Sequence, residues 1–424
     1  MSLEVAPPPA VPLLAAPRRP TWARLVNVTG RGLDRLGARP WRLVPQRLMD
    51  RAQRQARLSD FGEQIDGFDF RAPLGRLCQS LEEEAELTLL GRYVVREELT
   101  RLLVNRLIFQ DIWTRHPEAL DVPVPSPLIV AGLPRSGTTK LHRLLSLEGS
   151  GRPLLFWETL WPTPPPTPET HHQDPRAKRA RRLVRTMDGL APDLLAGHEI
   201  TPDGPEECNG LFNHTFQHPI FSFMYRIPSY MDWLLQSDMT GPYRYYRRLL
   251  QLLSWKFPTG RWVLKAPAHT FFLDTLLSVF PDACVVLLHR DPRQVVPSVA
   301  RLSVAFRRIS SDFVDPGAIG VAFNESLAWA FERSLGVLAE RGTARILPVA
   351  YKDLMADSLA TVHRIHDHFG IARDSGLDER VRSWLTSNPQ HKHGRHEYSL
   401  EQFGLDPAAV DARWAFYHDW LARP

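Results

Sequence analysis

The sequence predicts an α/β fold in which helices cover both faces of a central parallel β-sheet, with a helical region in front of it. Short, continuous apolar runs occur at 128–130, 262–264, 284–288 and 346–349, and amphipathic helical stretches separate them. Continuous apolar strands that alternate with helices are typical of a parallel sheet buried on both faces. A chain of 424 residues, 43% hydrophobic and 23% charged, is long enough to bury such a core.

The first part of the chain divides by composition. Residues 1–20 are rich in proline and alanine and are expected to form a flexible arm, because they have too little apolar surface to bury. Residues 21–121 are predicted to be helical. A capping-box pattern, Ser80 with Glu83, is expected to open a long helix, and apolar residues recur near helical spacing from Leu87 to Leu103.

Cysteine usage and the N-terminus bear on the compartment. Cys78, Cys208 and Cys284 are widely spaced and odd in number, which suits neither a disulfide framework nor a tetrahedral zinc site. No run approaches the roughly 18 apolar residues of a membrane span. Glu4 and three consecutive prolines stand where a signal peptide has a basic and then an apolar stretch. A reducing, cytoplasmic location is therefore expected.

The chain is moderately basic, with a formal net charge of +5 and a sequence pI near 9.2. This charge favours anionic ligands or peripheral contact with an anionic membrane surface, and it does not require nucleic acid as a partner. The stretch from Arg176 to Arg185 contains six basic residues in ten. We interpret it as a solvated helix face, the usual fate of such a run.

A glycine-containing loop follows the first predicted strand. Prolines at 122–127 end the helical region, so a second domain is expected over 122–424. The strand leads into Gly132 and Gly137, which are five residues apart, and then into a helix predicted from Lys140 to Leu147. Glycines permit close backbone approach, and successive N–H groups at a helix N-terminus attract an anion. The segment therefore predicts a phosphate-binding loop.

The residues inside the loop separate two classes of nucleotide-binding enzyme. An ATP-dependent kinase of this type needs lysine directly after the second glycine, followed by a hydroxyl that holds magnesium. Thr138 stands in that lysine position, and Arg135 supplies a cation from within the loop. A forked guanidinium with neighbouring hydroxyls suits a group that carries one phosphate and one sulfate, without a metal clamp.

The segment Pro134 to Thr139 resembles the 5′-phosphosulfate loop of sulfotransferases that use 3′-phosphoadenosine-5′-phosphosulfate (PAPS). The bacterial sulfotransferase-like group and the tyrosylprotein sulfotransferases are the most similar, and the resemblance extends with gaps from about Pro127 to Phe403. It implies a P-loop-type sheet and PAPS as co-substrate, with no metal. The residues of this loop that it assigns to the co-substrate are Arg135, Ser136, Gly137, Thr138, Thr139 and Lys140.

A second anion site is predicted at the end of the strand 284–288. Asp291 is a good helix N-cap and Pro292 a good first helical residue, so Arg290 lies where the chain leaves the sheet. The stretch resembles the 3′-phosphate motif of the same family, which implies that Arg290 and Ser298 bind the ribose phosphate. Two such sites at the carboxyl ends of parallel strands would hold one nucleotide between them.

Two further contacts to the nucleotide are implied by the resemblance. Tyr351 follows the last predicted strand and corresponds to a tyrosine that flanks the nucleotide. The basic loop from Lys392 to His396, with Arg395, corresponds to a C-terminal loop that closes over the 3′-phosphate.

In-line transfer of a sulfuryl group needs cations at the leaving oxygen and a base for the acceptor. Arg135 is the first expected cation. Lys265 is the second, because it follows a buried strand and the sequence from Lys265 to Pro267 resembles the Lys-x-Pro of tyrosylprotein sulfotransferases. Both are therefore catalytic candidates.

The catalytic base has several candidates. Glu158 is the first choice, since it lies where glutamate-dependent sulfotransferases carry their base. Partial burial beside aromatic residues would raise its pKa toward neutrality, with Arg135 opposing that shift. His269 is the runner-up, because cytosolic sulfotransferases use a histidine near this strand. Glu206 and Glu207 form a third possibility.

The acceptor is expected to be a small molecule with a hydroxyl group. The family places acceptor-binding helices at about 185–260, and aromatic residues are frequent here between Phe212 and Trp255. An aromatic, mostly uncharged wall favours a lipophilic or aromatic acceptor. Two alternatives remain: a catalytically inactive nucleotide-binding or scaffold protein of the same fold, and an ATP-dependent kinase, which Thr138 disfavours.

Overall fold

The computed structural model of the protein describes residues 19–62, 64, 67–149, 151–171, 173–190, 200–388 and 399–423. The described residues before the sheet form helices α1 (Thr21–Arg35), α2 (Pro45–Ala56), α3 (Arg71–Glu83) and α4 (Leu89–Arg115), followed by a 3₁₀ turn, Pro117–Leu120. The N-terminal region is therefore helical, as predicted.

A parallel sheet forms the centre of the molecule. The strands of the described chain are β1 (Leu128–Gly132), β2 (Gly151–Pro153), β3 (Arg261–Lys265), β4 (Cys284–His289) and β5 (Ile346–Ala350). Their spatial order is β2-β3-β1-β4-β5, and each neighbouring pair is parallel. The α/β class and the four predicted strands are confirmed. The short edge strand β2 was not predicted, since three residues with a glycine and a proline carry almost no strand signal.

Helices connect and cover the strands. Between β1 and β3 these are α5 (Thr138–Leu145), α6 (Phe156–Leu160), α7 (Pro168–His171), α8 (Pro175–Leu190), α9 (Asn209–Phe212), α10 (Ile220–Met224), α11 (Pro228–Leu235) and α12 (Thr240–Trp255). Those that follow β3 are α13 (Leu273–Val279), α14 (Pro292–Ser310), α15 (Pro316–Arg341), α16 (Tyr351–Ala356), α17 (Ser358–Phe369), α18 (Leu377–Ser387), α19 (Pro407–Arg413) and α20 (Ala415–Leu421). Short 3₁₀ segments lie at Asn213–Thr215, Pro267–Phe272 and Glu401–Phe403.

Alternate residues of β1 enter two different cores. Ile129 and Ala131 belong to the larger core, which includes the N-terminal helices and α12, whereas Leu128 and Val130 belong to a second core with α17 and α18. All four side chains are fully buried. Burial on both sides explains why the strands read as continuous apolar runs rather than as alternating ones.

The start of the long N-terminal helix differs from the prediction. Ser80 lies inside α3, where its hydroxyl is buried 3.0 Å from the hydroxyl of Ser229, so the Ser80–Glu83 capping box is wrong. The cap of α4 is Thr88, whose Oγ1 accepts the N–H of Gly91 at 3.0 Å. Ser80 and Thr88 look equally suitable as helix caps in the sequence. The packing of α3 against α11 keeps Ser80 inside a helix, so that Thr88 becomes the cap.

The end of the predicted arm is anchored. Arg19 forms an ion pair with Asp312 and donates to the carbonyl of Ser311 at 3.0 Å. Arg19 and Pro20 therefore belong to the folded part, whereas residues 1–18 lie outside the described chain. Among the helices of the ranges given above, none combines the length and the apolar character needed to cross a bilayer.

Candidate active site

The loop after β1 turns sharply because of its two glycines. Gly132 has φ +112°, and a Cβ built on it would lie 2.0 Å from the carbonyl oxygen of Leu288 on the neighbouring strand. Its N–H donates to Thr270 Oγ1 at 2.8 Å. Gly137, with φ +89°, is the cap of α5, which begins at Thr138 rather than at Lys140. The N–H groups of the first turn thus come directly after the loop, as anion binding requires.

The two predicted anion sites meet at one place. Arg135, held at φ +62°, donates from Nε to Ser298 Oγ at 3.2 Å. Arg290 donates from Nη1 to the carbonyl oxygen of Arg135 at 2.9 Å, and its guanidinium lies 4.1 Å from the ring centroid of Tyr351. Residues from both loops, together with Tyr351, line the same cavity. One ligand of nucleotide size can therefore contact both loops.

Lys265 ends β3 beside this loop. Its Nζ donates to Thr139 Oγ1 at 3.4 Å and to Glu207 Oε1 at 2.6 Å. The other oxygen of Glu207 accepts from Asn209 Nδ2 at 2.5 Å. The lysine is almost fully buried, whereas the carboxylate lines the cavity with 17% of its side chain exposed. Lys265 and Glu207 therefore lie beside the loop that follows β1, at the end of β3.

Glu158, the first choice for the base, is held away from the cavity. Its side chain is fully buried, one oxygen pairs with Arg152 and lies 3.5 Å from His171 Nε2, and the other accepts the N–H of Leu155 at 3.0 Å. Burial alone would raise the pKa of Glu158, but Arg152, His171 and the Leu155 N–H lower it below its ordinary value. The expected rise toward neutrality is therefore wrong, and the opposing cation is Arg152 rather than Arg135.

His269 is also turned into the core. Its Nδ1 lies 3.0 Å from the hydroxyl of Tyr243, and the ring is 1% exposed. Burial lowers the pKa of His269 to about 4, although Glu207 acts in the opposite direction. Pro267 and Ala268 line the cavity, but His269 is not among the described residues that do so. The ring is therefore neutral at physiological pH and lies in the core beside the cavity rather than in its described wall.

The remaining predicted residues divide into three groups. Thr138, Thr139 and Lys140 line the cavity, and burial lowers the pKa of Lys140. Ser136 is buried and donates to the carbonyl of Leu133, so its hydroxyl stabilises the loop from within. Glu206 lines the cavity and accepts the N–H of Glu207 at 2.8 Å. Arg395 lies outside the described residues.

A large cavity of about 1060 Å³ extends from the loop. Its wall is mainly apolar, although the charged residues Glu98, Arg101, Arg226, Arg307 and Asp315 also line it. The contributing aromatic and aliphatic residues include Ile220, Phe223, Tyr225, Met231, Phe271, Leu302, Phe306, Phe323 and Leu327. Many aromatic residues of the 212–255 stretch, such as Phe212, Tyr243 and Tyr246, are instead buried in the core. The stretch 185–260 nevertheless supplies a large part of the cavity wall, from Thr186 to Met231, and helices α14 and α15 supply a further part that was not predicted.

The family model described as "Sulfotransferase family" matches residues 127–375, which contain the loop, Lys265, Arg290 and Tyr351. The chain belongs to the sulfotransferase family. The match covers more than half of the sequence and ends before the basic loop at Lys392.

Individual sulfotransferases agree with this assignment. The omega-hydroxy-beta-dihydromenaquinone-9 sulfotransferase Stf3 of Mycobacterium bovis is 26% identical over 312 residues, which are 68% of this chain and 73% of that one. The crystal structure of STF1 from Mycobacterium tuberculosis is 32% identical, covers 88% of this chain and 98% of its own, and gives a TM-score of 0.77. STF9 from Mycobacterium avium is 28% identical, covers 89% and 97%, and gives a TM-score of 0.81.

Sequence reasoning missed several features of this sulfotransferase. Asn209 holds Glu207, and Thr270 anchors the loop through the N–H of Gly132. Neither residue belongs to a local motif, so no sequence signal singles it out. Among the described residues, no group of histidine, cysteine, aspartate and glutamate side chains is arranged to hold a metal ion.

Proposed function

We propose that this sulfotransferase moves the sulfuryl group of PAPS to a hydroxyl group of a lipophilic small molecule. One observation carries the proposal: Arg135 and Arg290 meet at the polar end of a cavity whose remaining wall is mainly apolar. A charged nucleotide and an apolar acceptor would thus occupy opposite parts of one space. A protein that only binds a nucleotide would not need the apolar part of the cavity.

The nucleotide would be held at both of its charged ends. The α5 N-terminus with Thr138, Thr139 and Arg135 suits the phosphosulfate, because backbone N–H groups and a guanidinium bind such oxygens directly. Arg290 and Ser298 suit the ribose 3′-phosphate. Tyr351 already stacks on the Arg290 guanidinium and so orients it before the ligand arrives.

The transfer step assigns a role to each polar group beside the loop. The acceptor oxygen forms a bond to sulfur while the bond from sulfur to the bridging oxygen breaks, and the electron pair leaves with adenosine 3′,5′-bisphosphate. Lys265 and Arg135 stabilise the negative charge on that leaving oxygen. Glu207, rather than Glu158, receives the acceptor proton, since Glu207 lines the cavity and Glu158 is buried in another ion pair.

The acceptor class follows from the wall of the cavity. Phe223, Phe306 and Leu327 offer dispersion contacts and almost no hydrogen bonds, which selects against sugars and other strongly hydrated acceptors. The name of Stf3 describes a sulfotransferase for a hydroxylated menaquinone, which is a lipophilic acceptor. The cavity volume of about 1060 Å³ is at the upper end of ordinary ligand sites, and the nucleotide and the acceptor would share it.

Calorimetric titration of the full chain tests the nucleotide site. Adenosine 3′,5′-bisphosphate is expected to bind without added metal, and ATP with magnesium is expected to bind at least about tenfold more weakly, because the loop lacks the lysine that a triphosphate needs. Labelled sulfate from PAPS should then appear in the apolar fraction of a lipid extract. Preference for ATP with magnesium would refute the proposal, and label confined to water-soluble products would refute the acceptor class.

Removal of the Arg290 guanidinium should weaken bisphosphate binding. Arg290→Ala is expected to raise the dissociation constant about 10- to 100-fold, since a charge-assisted hydrogen bond to phosphate contributes roughly 1.5–3 kcal/mol. Arg293→Ala is a matched control, because Arg293 lies one turn away on α14 and pairs with Asp411 on the surface. If both variants bind the bisphosphate with the same affinity, Arg290 does not contact it.

A further inference from the structure

Helix α1 exposes three of its five larger apolar side chains. Trp22, Leu25 and Val28 are 52%, 65% and 54% exposed, and their spacing of three places them along one side of the helix. Arg24 and Arg35 are exposed beside this apolar side. An apolar stripe flanked by arginines, on a helix whose other residues are largely polar or small, is typical of helices that lie in a membrane interface.

The opposite side of α1 is built for close packing on the protein. Its buried residues are Ala23, Asn27 and Gly30. The Asn27 side chain accepts the N–H of Leu90 at 3.2 Å, and a Cβ on Gly30 would lie 2.5 Å from Leu89 Cβ. Small and polar residues therefore fill the buried side, Val26 and Leu33 are half-buried, and Trp22, Leu25 and Val28 face outward. An ordinary surface helix carries polar residues on that outer side, so the exposed stripe calls for a partner.

Helix α1 is fastened next to the acceptor cavity. Arg31 forms an ion pair with Asp312 at 2.9 Å, and Arg19, just before the helix, pairs with the same carboxylate. The next residue, Phe313, lines the cavity and is 68% exposed. The helix is thus attached one residue away from a part of the cavity wall that reaches the surface.

Two further elements bring exposed apolar residues to the same wall. Val94 on α4 and Leu183 on α8 both line the cavity and are 37% and 36% exposed. Arg182 and Arg185 are exposed on either side of Leu183, within the basic stretch that the sequence alone left without a role. The edge of the cavity therefore has apolar residues with arginines next to them, as α1 does.

We propose that α1 and this edge, comprising Trp22, Leu25, Val28, Val94, Leu183 and Phe313, dock on an anionic lipid bilayer, so that the acceptor enters the cavity from the membrane. The inference rests on the proposed lipophilic acceptor, which would itself reside in the bilayer. A second copy of the chain fits less well, because a two-fold contact through the same patch would bring its arginines close to their own copies. Anionic headgroups complement those arginines, and the apolar stripe enters the acyl boundary.

Vesicle flotation with the full chain tests the docking surface. The protein is expected to float with mixed phosphatidylcholine and phosphatidylglycerol vesicles, more weakly with phosphatidylcholine alone, and less as salt is added. Leu25→Asp is expected to lower the partition coefficient about tenfold or more, because it removes a leucine that would be buried in the bilayer and adds a charge that anionic headgroups repel. Leu421→Asp is the matched control, since Leu421 is 49% exposed on the C-terminal helix.

Two parallel measurements keep this test separate from the proposed function. Unfolding temperature and titration with adenosine 3′,5′-bisphosphate are expected to be the same for Leu25→Asp and the wild type. Normal bisphosphate binding by a wild-type protein that ignores both vesicle types would overturn the docking proposal and leave the nucleotide site intact. Equal flotation of Leu25→Asp and the wild type would also overturn it. A wild-type dimer that Leu25→Asp turns into a monomer, without vesicle binding, would assign the face to a second copy.

Discussion

Replacement of Glu207 by glutamine is expected to lower turnover about 10²- to 10⁴-fold, the usual contribution of a general base. Glutamine keeps the size of the side chain, and its amide oxygen can still accept the hydrogen bond that Asn209 donates. Binding of adenosine 3′,5′-bisphosphate should therefore stay within a few-fold. The measurement is the rate of label transfer from PAPS at saturating nucleotide, with affinity followed by calorimetry.

The same substitution at Glu158 is the matched control, and its effect should be on stability instead. Glu158→Gln leaves the Arg152 guanidinium buried without its counter-charge, and loss of one member of a buried pair costs about 3–5 kcal/mol of the free energy of unfolding. Folded enzyme should retain turnover within a few-fold. An inactive but stable Glu158→Gln, with an active Glu207→Gln, would return the role of base to Glu158.

Replacement of Lys265 by methionine is expected to lower turnover about 10²- to 10³-fold, since a positive charge at the leaving oxygen stabilises the transition state much more than the ground state. Methionine fills the volume of the lysine stem without its charge. The readout is again the rate at saturating PAPS. Lys256→Met controls for loss of a lysine, because Lys256 follows α12 and packs over the ring of Trp255 rather than beside the loop.

Lys265 and Glu207 share a hydrogen bond of 2.6 Å, so their effects should not add. The double variant Glu207→Gln with Lys265→Met is expected to lose less activity than the product of the two single losses, as groups that act as a unit do. Strict additivity would mean that the two residues act independently. Wild-type turnover of Lys265→Met would show that the lysine does not act in the transfer step.

The parts of the site that the sequence predicted are those set by local chemistry. Gly132 and Gly137 adopt positive φ angles that other residues rarely tolerate. Asp291 caps α14 and Pro292 is its first residue, as the sequence indicated. Arg135 lies two residues before Gly137, and Arg290 lies directly before Asp291. The loops that carry them were therefore predictable, although each prediction concerned one segment at a time.

The base could not be chosen in this way. Whether an acid faces a cavity depends on partners elsewhere in the chain, and nothing next to Glu158 indicates that Arg152 and His171 enclose it. Glu207 looks equally ordinary in sequence until β3 brings Lys265 beside it. Similarly, the sequence shows that aromatic residues are frequent between 212 and 255, but it does not show which of them face the cavity. Many of them face the core.

Helix α4 packs on α14, with Gly91 so close to the carbonyl of Ser310 that a side chain would not fit. It also presents Val94, Glu98 and Arg101 to the cavity. These residues precede the segment 127–375 that the family model matches, whereas Arg135, Glu207, Lys265 and Arg290 lie within it. The cavity wall thus extends beyond the segment that the family shares, and under the proposed function substitutions at Val94 or Glu98 are expected to change the preference among acceptors more than the affinity for the nucleotide.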